Sequence, residues 1–403
     1  MQCQICSNEK LERFLDLGEH PPCVFLDPGE LASERLYRLD VYYCGECGLV
    51  QLGHLVDTTL LFGENYHHIA ALSASFHEHL QALAASLTRR FDLSSRDLVS
   101  DIGSNDGALL EAFVSFGTRI LGVDPSDVAE LAIQKGLPTV RKFFDEQLAR
   151  ELVREHGHAK VVAALNTFAH VAKLDSFITG IKHFLAEDGV FVSESHYLLD
   201  LVSQLQYDFI YHEHSRYYSL RSLVHLFGRF GMDVFDVERI PTHSGSLRVF
   251  AARSGAYPVS AAVGALLAEE EAAGLSRAET YRAFGTKVQA HRAGFVALLK
   301  ELRAAGHTIA GLTFPARAVT LLNFCGIGPE TLDYISERSH LKIGKLTPGT
   351  HIPVVDERRL FTEGPEYGLL LSWHIRDEII PKFKANGFKG KFIIPLPQPT
   401  IVG

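Results

Sequence analysis

A dense run of acid and base side chains lies in the segment YDFIYHEHSRYYSL, residues 207–220. Tyr211, Glu213 and His214 bring a phenol, a carboxyl group and an imidazole close together. Histidine is the natural general base near neutral pH, and a neighbouring carboxylate can orient it and stabilise its protonated form. The segment therefore favours a proton-transfer site, and the alternative is a hydrogen-bonded structural knot at a domain edge.

A glycine-bearing turn, DIGSNDG at residues 101–107, follows an apolar strand pattern and precedes the helical pattern ALLEAF. Glycines let the backbone approach a ligand, and a helix N-terminus offers free amides. Asp124 ends the next strand, where a carboxylate can bind two ribose hydroxyls. The acidic Asp101 and Asp106 disfavour the pyrophosphate of NAD and favour a ligand with a cationic centre and an ammonium group. The turn predicts an S-adenosylmethionine site, and an ordinary strand–helix turn is the alternative.

Polar side chains follow two further strand patterns, VVAALN and GVFVSE. Asn166 and His170 come at the end of the first, and Glu194 and His196 at the end of the second. Because ligands in open α/β sheets bind at the carboxyl ends of strands, we expect these side chains around one crevice with the turn. His243, in a loop that feeds a closing strand, either reaches the same crevice or caps a turn.

Two CxxC pairs, Cys3 with Cys6 and Cys44 with Cys47, have the spacing of zinc knuckles. Four thiolates fill a tetrahedral coordination sphere, so the predicted zinc is structural. A redox-active CxxC is the main alternative.

The last hundred residues alternate strand and helix patterns around the loop HLKIGKLTPGTHIPV. Its basic and hydroxyl side chains suit a phosphate or pyrophosphate, and a solvated basic loop is the alternative. Between this part and the preceding α/β block, residues 259–304 are rich in alanine and charged residues, which predicts one or two long helices.

Composition limits the possible partners. The length of 403 residues, the net charge of −9 and the 46% of hydrophobic residues indicate a soluble, globular protein of two to three domains, and the alternating strand and helix patterns indicate an α/β fold. An acidic chain lacks the basic stripe that sequence-independent nucleic-acid binding needs. No window approaches about 20 apolar residues and the N-terminus has no apolar signal core, so we expect a cytoplasmic protein without a membrane partner.

The motifs CxxC…CxxC, DIGSNDG, GVDPS, YDFIYHEHSRYYSL, GSLRVF, TLLNFCGI and TPGTHIPV together resemble the three-domain, zinc-containing sugar C-methyltransferases. That family acts on nucleotide-linked 4-keto-6-deoxy sugars. The resemblance implies a zinc-binding domain at 1–65 and a class I S-adenosylmethionine-dependent methyltransferase domain with a Rossmann-like fold at 66–255. A helical connection at 256–303 would then lead to a C-terminal Rossmann-like nucleotide-sugar-binding domain at 304–403.

The resemblance also implies the reaction, methylation of C3 in a dTDP- or GDP-linked sugar, and we expect the protein to be a monomer. It makes His214 the base, with Tyr211, Glu213 and His170 beside it. The predicted cofactor contacts are Tyr66, Asp101, Gly103, Ser104, Asn105, Asp106, Gly107, Asp124, Pro125, Ser126 and Asn166. The predicted substrate contacts are His68, Glu194, His196, His243, Arg317, Asn323, Lys342, Lys345, Thr347, Thr350 and His351.

Some positions depart from the family pattern: His68 replaces a second tyrosine, Glu194-Ser195-His196 replaces EVP, and Phe314, Arg317 and His374 are also unusual. These departures leave the sugar and the methylated carbon open. The alternatives are methylation at C5 or at an oxygen or nitrogen of a related sugar, and a non-catalytic nucleotide-sugar-binding protein.

Overall fold

Three β-sheets organise the chain in the computed structural model, which describes residues 1–62 and 74–403. The N-terminal sheet contains β1 (Leu11–His20), β2 (Tyr37–Cys44) and β3 (Val50–Leu52), and helix α1 (Thr58–Phe62) follows it. All neighbours in this sheet are antiparallel. Its fourth strand comes from residues 216–217, far along the chain, and pairs with β3.

The central sheet has seven strands with helices on both faces. Its part of the chain runs through α2 (Ala74–Arg90), β4 (Leu98–Ile102), α3 (Ala108–Val114), β5 (Arg119–Val123), α4 (Ala129–Gln134), β6 (Thr139–Val140), α5 (Glu146–His156), β7 (Ala159–Leu165), α6 (Leu174–Phe184), β8 (Leu185–His196), α7 (Leu198–Ser203), β9 (Arg216–Tyr217), α8 (Leu220–Arg229), β10 (Met232–Ile240) and β11 (Ser246–Arg253).

The strand order of this sheet is β10-β11-β8-β7-β4-β5-β6, and β9 belongs to the N-terminal sheet instead. Strands β4 to β8 are parallel, while β11 lies antiparallel between β8 and β10. The inner strands are buried on both faces, which explains their near-continuous apolar sequences. Their carboxyl ends form one edge, at which Asp101, Asp124, Asn166 and Glu194 lie.

Two helices, α9 (Ala261–Ala272) and α10 (Ala278–Ala304), lead to the third sheet. That part contains β12 (Ile309–Leu312), α11 (Arg317–Cys325), β13 (Ile335–Glu337), β14 (Val354–Asp356), α12 (Arg358–Glu363), β15 (Tyr367–Leu370), α13 (Arg376–Ala385), β16 (Lys391–Ile394) and β17 (Thr400–Val402). The order is β14-β13-β12-β15-β16-β17, parallel except for β17. Strand order therefore reverses beside β12, where doubly wound sheets open a crevice.

Helix α10 joins the N-terminal sheet to the rest of the core. Its buried Tyr281 packs on Phe14, with ring centroids 5.1 Å apart, and on Tyr43, at 4.3 Å. Gly285 faces the carbonyl of Phe14 so closely that a Cβ would collide with it. The α10 helix is therefore fitted to β1 and fixes the N-terminal sheet against the α/β body.

The sequence pattern correctly predicts the mixed α/β class, the strand–helix alternation that begins at Leu98, and the two long helices after Val259. The pattern of residues 66–87 predicts an amphipathic helical linker, and the structure has a helix there from Ala74 onward, residues 66–73 lying outside the described ones. Within the described ranges, no helix is both long and apolar enough to cross a membrane.

Candidate active site

The segment 207–220 lies where all three sheets meet. Its end is paired into the N-terminal sheet through β9, and Leu52 N donates to Ser215 O over 3.1 Å. Its beginning is held by the C-terminal part, because Thr320 Oγ1 donates to Ile210 O over 2.5 Å. The loop between Ile210 and Ser215 is thus anchored at both ends by different parts of the molecule.

His214 is buried and has a defined tautomer. Its Nδ1 lies 3.1 Å from the carbonyl oxygen of Phe209, so Nδ1 carries the proton and donates. The hydroxyl of Tyr211 then donates to Nε2 over 3.0 Å. Burial, followed by the influence of His170, holds the pKa of His214 well below its ordinary value. The side chain is therefore a neutral imidazole whose lone pair is on Nε2, as a general base requires.

His170 packs edge-on against His214, with ring centroids 4.9 Å apart. It lies in the short turn Phe168–His170 that follows β7, so the carboxyl edge of the central sheet brings it to the base. The predicted grouping of His170, Tyr211 and His214 is thus present in the structure, and their catalytic roles stay predictions.

The carboxyl group of Glu213 lies beside Cys23. Burial raises the pKa of Glu213 to about 7, and the backbone amides of Glu213 and Cys23 oppose this shift. The Cys23 thiol is affected in turn: burial and then the Glu213 charge raise its pKa to about 12. Oε2 of Glu213 is buried and has no hydrogen-bond partner in the described part of the chain. This carboxyl group can therefore hold or release a proton near neutral pH.

The glycine-bearing turn lies at the end of β4. Gly103 has φ +77°, and a Cβ on it would overlap the side chain of Thr167. Gly107, with φ +81°, precedes α3. Asp124 accepts from the backbone amide of Asn105 over 2.9 Å and from both the amide and hydroxyl of Ser126. The turn, Asp124 and the segment after β5 therefore form one continuous cradle.

The cradle fits S-adenosylmethionine by its charge. Burial, and then the charges of Asp124 and Glu194, raise the pKa of Asp101 to about 8. Buried oxygens of Asp101, Asp106 and Ser104 lack hydrogen-bond partners among the described residues. Unpartnered acceptors beside clustered carboxylates suit a ligand that brings N–H groups and positive charge. Asp101, Ser104, Asp106 and Asp124 would hold such a cofactor, with Pro125 adjoining; Tyr66 lies outside the described residues.

The four knuckle cysteines converge. Their sulfur atoms lie within 4.8 Å of one another, with Cys3 and Cys47 3.4 Å apart and Cys6 and Cys44 3.6 Å apart. Tetrahedral zinc with Zn–S bonds of about 2.3 Å places its sulfurs about 3.8 Å apart, so the arrangement fits the ion. With all four cysteine sulfurs as ligands, the zinc ion has no open coordination position for a reactant.

Glu194 is enclosed by Arg248 and His79 at the end of β8. One carboxylate oxygen accepts from Arg248 Nε over 2.7 Å, and the other lies 2.8 Å from His79 Nε2. The side chain of Glu194 is fully buried. Asn166, with φ +53°, donates its backbone amide to the carbonyl of Glu194 over 2.7 Å. Glu194 thus joins α2 to β8 and β11 at the rim of the cofactor cradle.

The C-terminal loop packs against the N-terminal part of the chain. His351 Nε2 lies 2.8 Å from a carboxylate oxygen of Glu34, and Lys342 Nζ donates to Phe314 O and to Glu337. Thr347 is buried, and its hydroxyl lies 2.8 Å from that of Thr350. The remaining predicted contacts are Lys345, which is partly exposed, and Asn323, whose amide donates to the carbonyls of Val319 and Pro348.

Arg317 opens α11 and makes a buried, bidentate ion pair with Asp208, both bonds being 2.7 Å. Trp373 Nε1 donates to the same carboxylate over 2.8 Å. His196 stacks on Phe209, with ring centroids 3.8 Å apart. His243 has φ +54° in the turn Thr242–Ser244 and lies near Phe76. These residues come from the start of α11, the end of β8 and the turns after β10 and β15, and all border segment 207–220.

Most of the predicted site residues gather around the carboxyl edge of the central sheet, with two exceptions. The loop at 342–351, to which Asn323 is hydrogen-bonded, lies at the contact with residues 26–34. His68, like Tyr66, lies outside the described residues. The sequence analysis did not identify Asp208 and Phe209 as site residues, although both belong to segment 207–220. It also did not identify Trp373, because a single tryptophan forms no pattern that indicates a site.

Three family models match successive parts of the chain. Residues 3–62 match a family model described as "Putative zinc binding domain", residues 76–237 match "Methyltransferase domain", and residues 241–397 match "C-methyltransferase C-terminal domain". Each range contains one of the three sheets or most of it.

A relative and two solved structures give the scale of similarity. The chain is 35% identical to C-methyltransferase NovU of Streptomyces niveus, over its own full length and 96% of that protein. It is 16% identical to the magnesium protoporphyrin IX methyltransferase of Synechocystis PCC 6803, solved with bound S-adenosylmethionine, covering 44% of this chain and 79% of that one at a TM-score of 0.34. The chain is 14% identical to the YcgJ protein of Bacillus subtilis, covering 44% of this chain and 100% of that one at a TM-score of 0.35. The two structural likenesses are too weak to inform the fold or the reaction.

Four findings agree with one another. The chain is similar to a C-methyltransferase over its entire length, and family models match all three of its parts. The cysteine cluster fits zinc, and the cradle fits the methyl donor. The chain belongs to the family of three-domain C-methyltransferases that bind zinc in the N-terminal part and use S-adenosylmethionine as methyl donor.

Proposed function

We propose that the chain methylates C3 of a nucleotide-linked 4-keto-6-deoxy sugar, in deoxysugar biosynthesis, with His214 as the base. The observation that carries this proposal is the state of the His214 imidazole. It is buried and neutral, its Nδ1–H is fixed by Phe209 O, and its Nε2 meets the phenol of Tyr211. Transfer of a methyl group to carbon needs a base that makes the carbon nucleophilic, whereas transfer to an amine does not.

The proposed step begins with proton removal. A ketone at C4 acidifies the hydrogen on C3, so Nε2 of His214 takes that proton and the electron pair moves to O4 as an enolate. When bound, S-adenosylmethionine supplies the electrophilic methyl group that the new carbon nucleophile accepts. The Nδ1–H bond to Phe209 O stabilises the imidazolium that results, because a donor bond strengthens when the donor becomes charged.

Tyr211 has two tasks in this proposal. Its hydroxyl occupies the lone pair of His214 Nε2, so this bond must break before the base can act. If the hydroxyl turns to O4 of the arriving ketone, the same movement frees the base and places a donor where negative charge develops. His170, against the other edge of the imidazole, is the second candidate donor.

The nucleotide is assigned to the C-terminal part, because strand order reverses beside β12 there. Lys342 contacts Phe314 O at the end of β12, and Glu337 ends the neighbouring strand β13. A basic group and a carboxylate at such an edge suit a diphosphate and a ribose. The dTDP and GDP forms both meet this description.

Mass spectrometry tests the proposed function. The purified protein is incubated with S-adenosylmethionine and a panel of dTDP- and GDP-linked 4-keto-6-deoxy sugars. A gain of one methyl group on the sugar ring is the expected result, and fragmentation locates it at C3. Deuterium exchange from C3 in D₂O without the methyl donor separates carbon transfer from transfer to oxygen or nitrogen. Exchange or methylation at C5, or no methylation across the panel by a protein that binds the cofactor, would overturn the proposal.

A further inference from the structure

A group of unpartnered buried donors lies beside the proposed base. Both ring nitrogens of His196, Nη1 of Arg317 and Nδ1 of His374 are enclosed and have no hydrogen-bond partner among the described residues. His196 is 8% exposed and Arg317 3% exposed. Buried polar atoms are nearly always paired, so such a set calls for a ligand that is absent from the free protein.

The three side chains are held together by two aromatic rings. His196 stacks on Phe209 at 3.8 Å, and the guanidinium of Arg317 lies 5.1 Å from the same ring. Arg317 also lies 4.7 Å from the ring of Trp373, whose neighbour in the chain is His374. The ends of β8 and β15 and the start of α11 thus meet at one place, which we call the donor pocket (His196, Arg317 and His374).

The donor pocket adjoins the reaction site. Phe209 contacts the ring of His214, with centroids 4.5 Å apart, and its carbonyl fixes the tautomer of that histidine. His196 and His214 therefore lie around one aromatic ring. A substrate whose C3–H meets His214 Nε2 would bring the neighbouring ring substituents toward His196.

The carboxylates near the donor pocket, Asp208 and Glu194, are already paired with other side chains. The pKa of His196 is lowered by burial and, to a smaller extent, by Arg317 and His243. The pKa of His374 is lowered by burial, and then by Arg317, His243 and His196. No carboxylate acts on either imidazole in the described part of the chain. Asp208, the carboxylate nearest to Arg317, already accepts from Arg317 Nε and Nη2 and from Trp373. The other nearby carboxylate, Glu194, is paired with His79 and Arg248.

We infer that the donor pocket receives an oxygen substituent of the substrate, a hydroxyl or other hydrogen-bond acceptor, and rejects a protonated amine at the same carbon. Arg317 Nη1 can only donate, and the neutral imidazoles can donate or accept, so together they satisfy the lone pairs and the proton of a hydroxyl. An ammonium group would lie buried beside the Arg317 guanidinium, whose carboxylate partner Asp208 is already paired, and would have no carboxylate of its own, which is costly. The inference rests on the proposed function and adds the substituent class.

The test uses pairs of nucleotide-linked 4-keto-6-deoxy sugars that differ only in a hydroxyl or an amino group at C2 or at C3. The full-length protein and S-adenosylmethionine are incubated with each member, and kcat/KM is measured by mass spectrometry. In one of the pairs we expect kcat/KM for the hydroxyl sugar to exceed kcat/KM for the amino sugar by about tenfold or more. Preference for the amine should rise with pH, since the neutral amine carries no charge to bury.

Two variants assign the preference to the donor pocket. His374→Asp adds a carboxylate that can pair with an ammonium group, so the preference for the hydroxyl sugar should fall or reverse. His196→Phe keeps the stacking on Phe209 and removes both nitrogens, so the hydroxyl sugar alone should lose rate. His158→Asp makes the same charge change as the first variant at an exposed surface site and should leave the preference unchanged.

The outcomes distinguish a failure of the proposed function from a failure of the inference about the donor pocket. If the wild-type protein methylates no member of either pair, the proposed function itself fails. If it methylates hydroxyl and amino sugars equally, or if the preference is the same in His374→Asp and wild-type protein, the proposed function stands and the inference about the donor pocket is wrong.

Discussion

His214 is defined by its two hydrogen bonds more than by its surroundings in the sequence. The bond from Nδ1 to Phe209 O fixes the tautomer, and the bond from Tyr211 covers the nitrogen that would act. Sequence reasoning identified both side chains because a histidine and a phenol three residues apart are visible in the chain. It did not identify the orienting group, because a backbone carbonyl belongs to every residue and only the folded loop shows which one faces the ring.

Replacing His214 with alanine tests the base at the residue scale. We expect methyl transfer to fall by about a hundredfold to ten-thousandfold, the usual contribution of a positioned general base. Binding of S-adenosylmethionine should persist, because the cofactor cradle lies at the ends of β4 and β5. Turnover and calorimetric binding are measured together, with the exposed His158→Ala as control. Near wild-type turnover in His214→Ala would remove His214 from the mechanism.

At the scale of elements, the turn after β4 was predictable because its glycines are needed by the backbone. Gly103 and Gly136 have nearly the same positive φ, +77° and +78°, but different neighbours. A Cβ on Gly103 would overlap Thr167, whereas nothing lies within 4 Å of one on Gly136. The two sites therefore separate the cost of the backbone conformation from the cost of filling the cradle.

Gly136→Ala should lower the free energy of unfolding by about 1 kcal/mol, the cost of a left-handed backbone. Gly103→Ala adds a collision at the cofactor cradle, so it should be less stable and should also bind S-adenosylmethionine more weakly. Denaturant unfolding and calorimetry measure the two effects. Equal cofactor affinity in the two variants would mean that the turn does not hold the cofactor.

The ion pair between Arg317 and Asp208 joins the C-terminal part to segment 207–220. Both side chains are almost fully buried. Asp208→Asn leaves the guanidinium without a charged partner, so we expect stability to fall by about 3–5 kcal/mol. The exposed pair of Arg376 and Asp377 is the control, and Asp377→Asn should cost less than about 1 kcal/mol. Similar unfolding midpoints for both variants would show that the buried pair does not join these elements.

Two neutral histidines form the contact between the N-terminal sheet and the loop between Ile210 and Ser215. His212 Nε2 donates to His20 O over 2.9 Å, and His20 Nε2 donates to Leu17 O over 2.8 Å. Burial lowers the pKa of each to about 4. A histidine that resists protonation in the folded state makes unfolding easier as pH falls.

The free energy of unfolding should therefore be highest above pH about 6.5, which is the pKa of histidine in the unfolded chain, and it should fall as the pH drops from there toward 4. Each histidine contributes at most about 3 kcal/mol to this loss. Urea unfolding as a function of pH measures it, and His212→Asn should flatten the profile while lowering the stability at neutral pH. A slope that is identical in His212→Asn and wild-type protein would rule His212 out as its source.

At the scale of the whole molecule, the site exists only because three sheets converge. Periodicity and turn residues predicted most strands and helices after Leu98, since those elements satisfy local rules. They did not predict that Arg216 and Tyr217 add a strand to the N-terminal sheet, because pairing across more than 160 residues leaves no local pattern. The link between the zinc cluster and His214 was hidden for the same reason.

Removal of zinc tests that link. Cys44 and Cys47 precede β3, whose partner β9 follows His214 by two residues. Chelation should lower the unfolding temperature of the N-terminal sheet, and methyl transfer should fall in parallel as the catalytic loop loses its anchor. Both should return when zinc is added. A loss of turnover at an unchanged unfolding temperature would instead indicate that the metal takes part in the chemistry.

The central claim is that His214 removes a proton from the carbon that receives the methyl group. The most direct measurement uses a 4-keto-6-deoxy sugar nucleotide deuterated at C3, with S-adenosylmethionine, and follows the product by mass spectrometry. We expect the methylated product to have lost the C3 deuterium, and we expect His214→Ala to yield neither methylation nor exchange of that deuterium. Methylated product that retains the C3 deuterium, or undiminished exchange in His214→Ala, would contradict it.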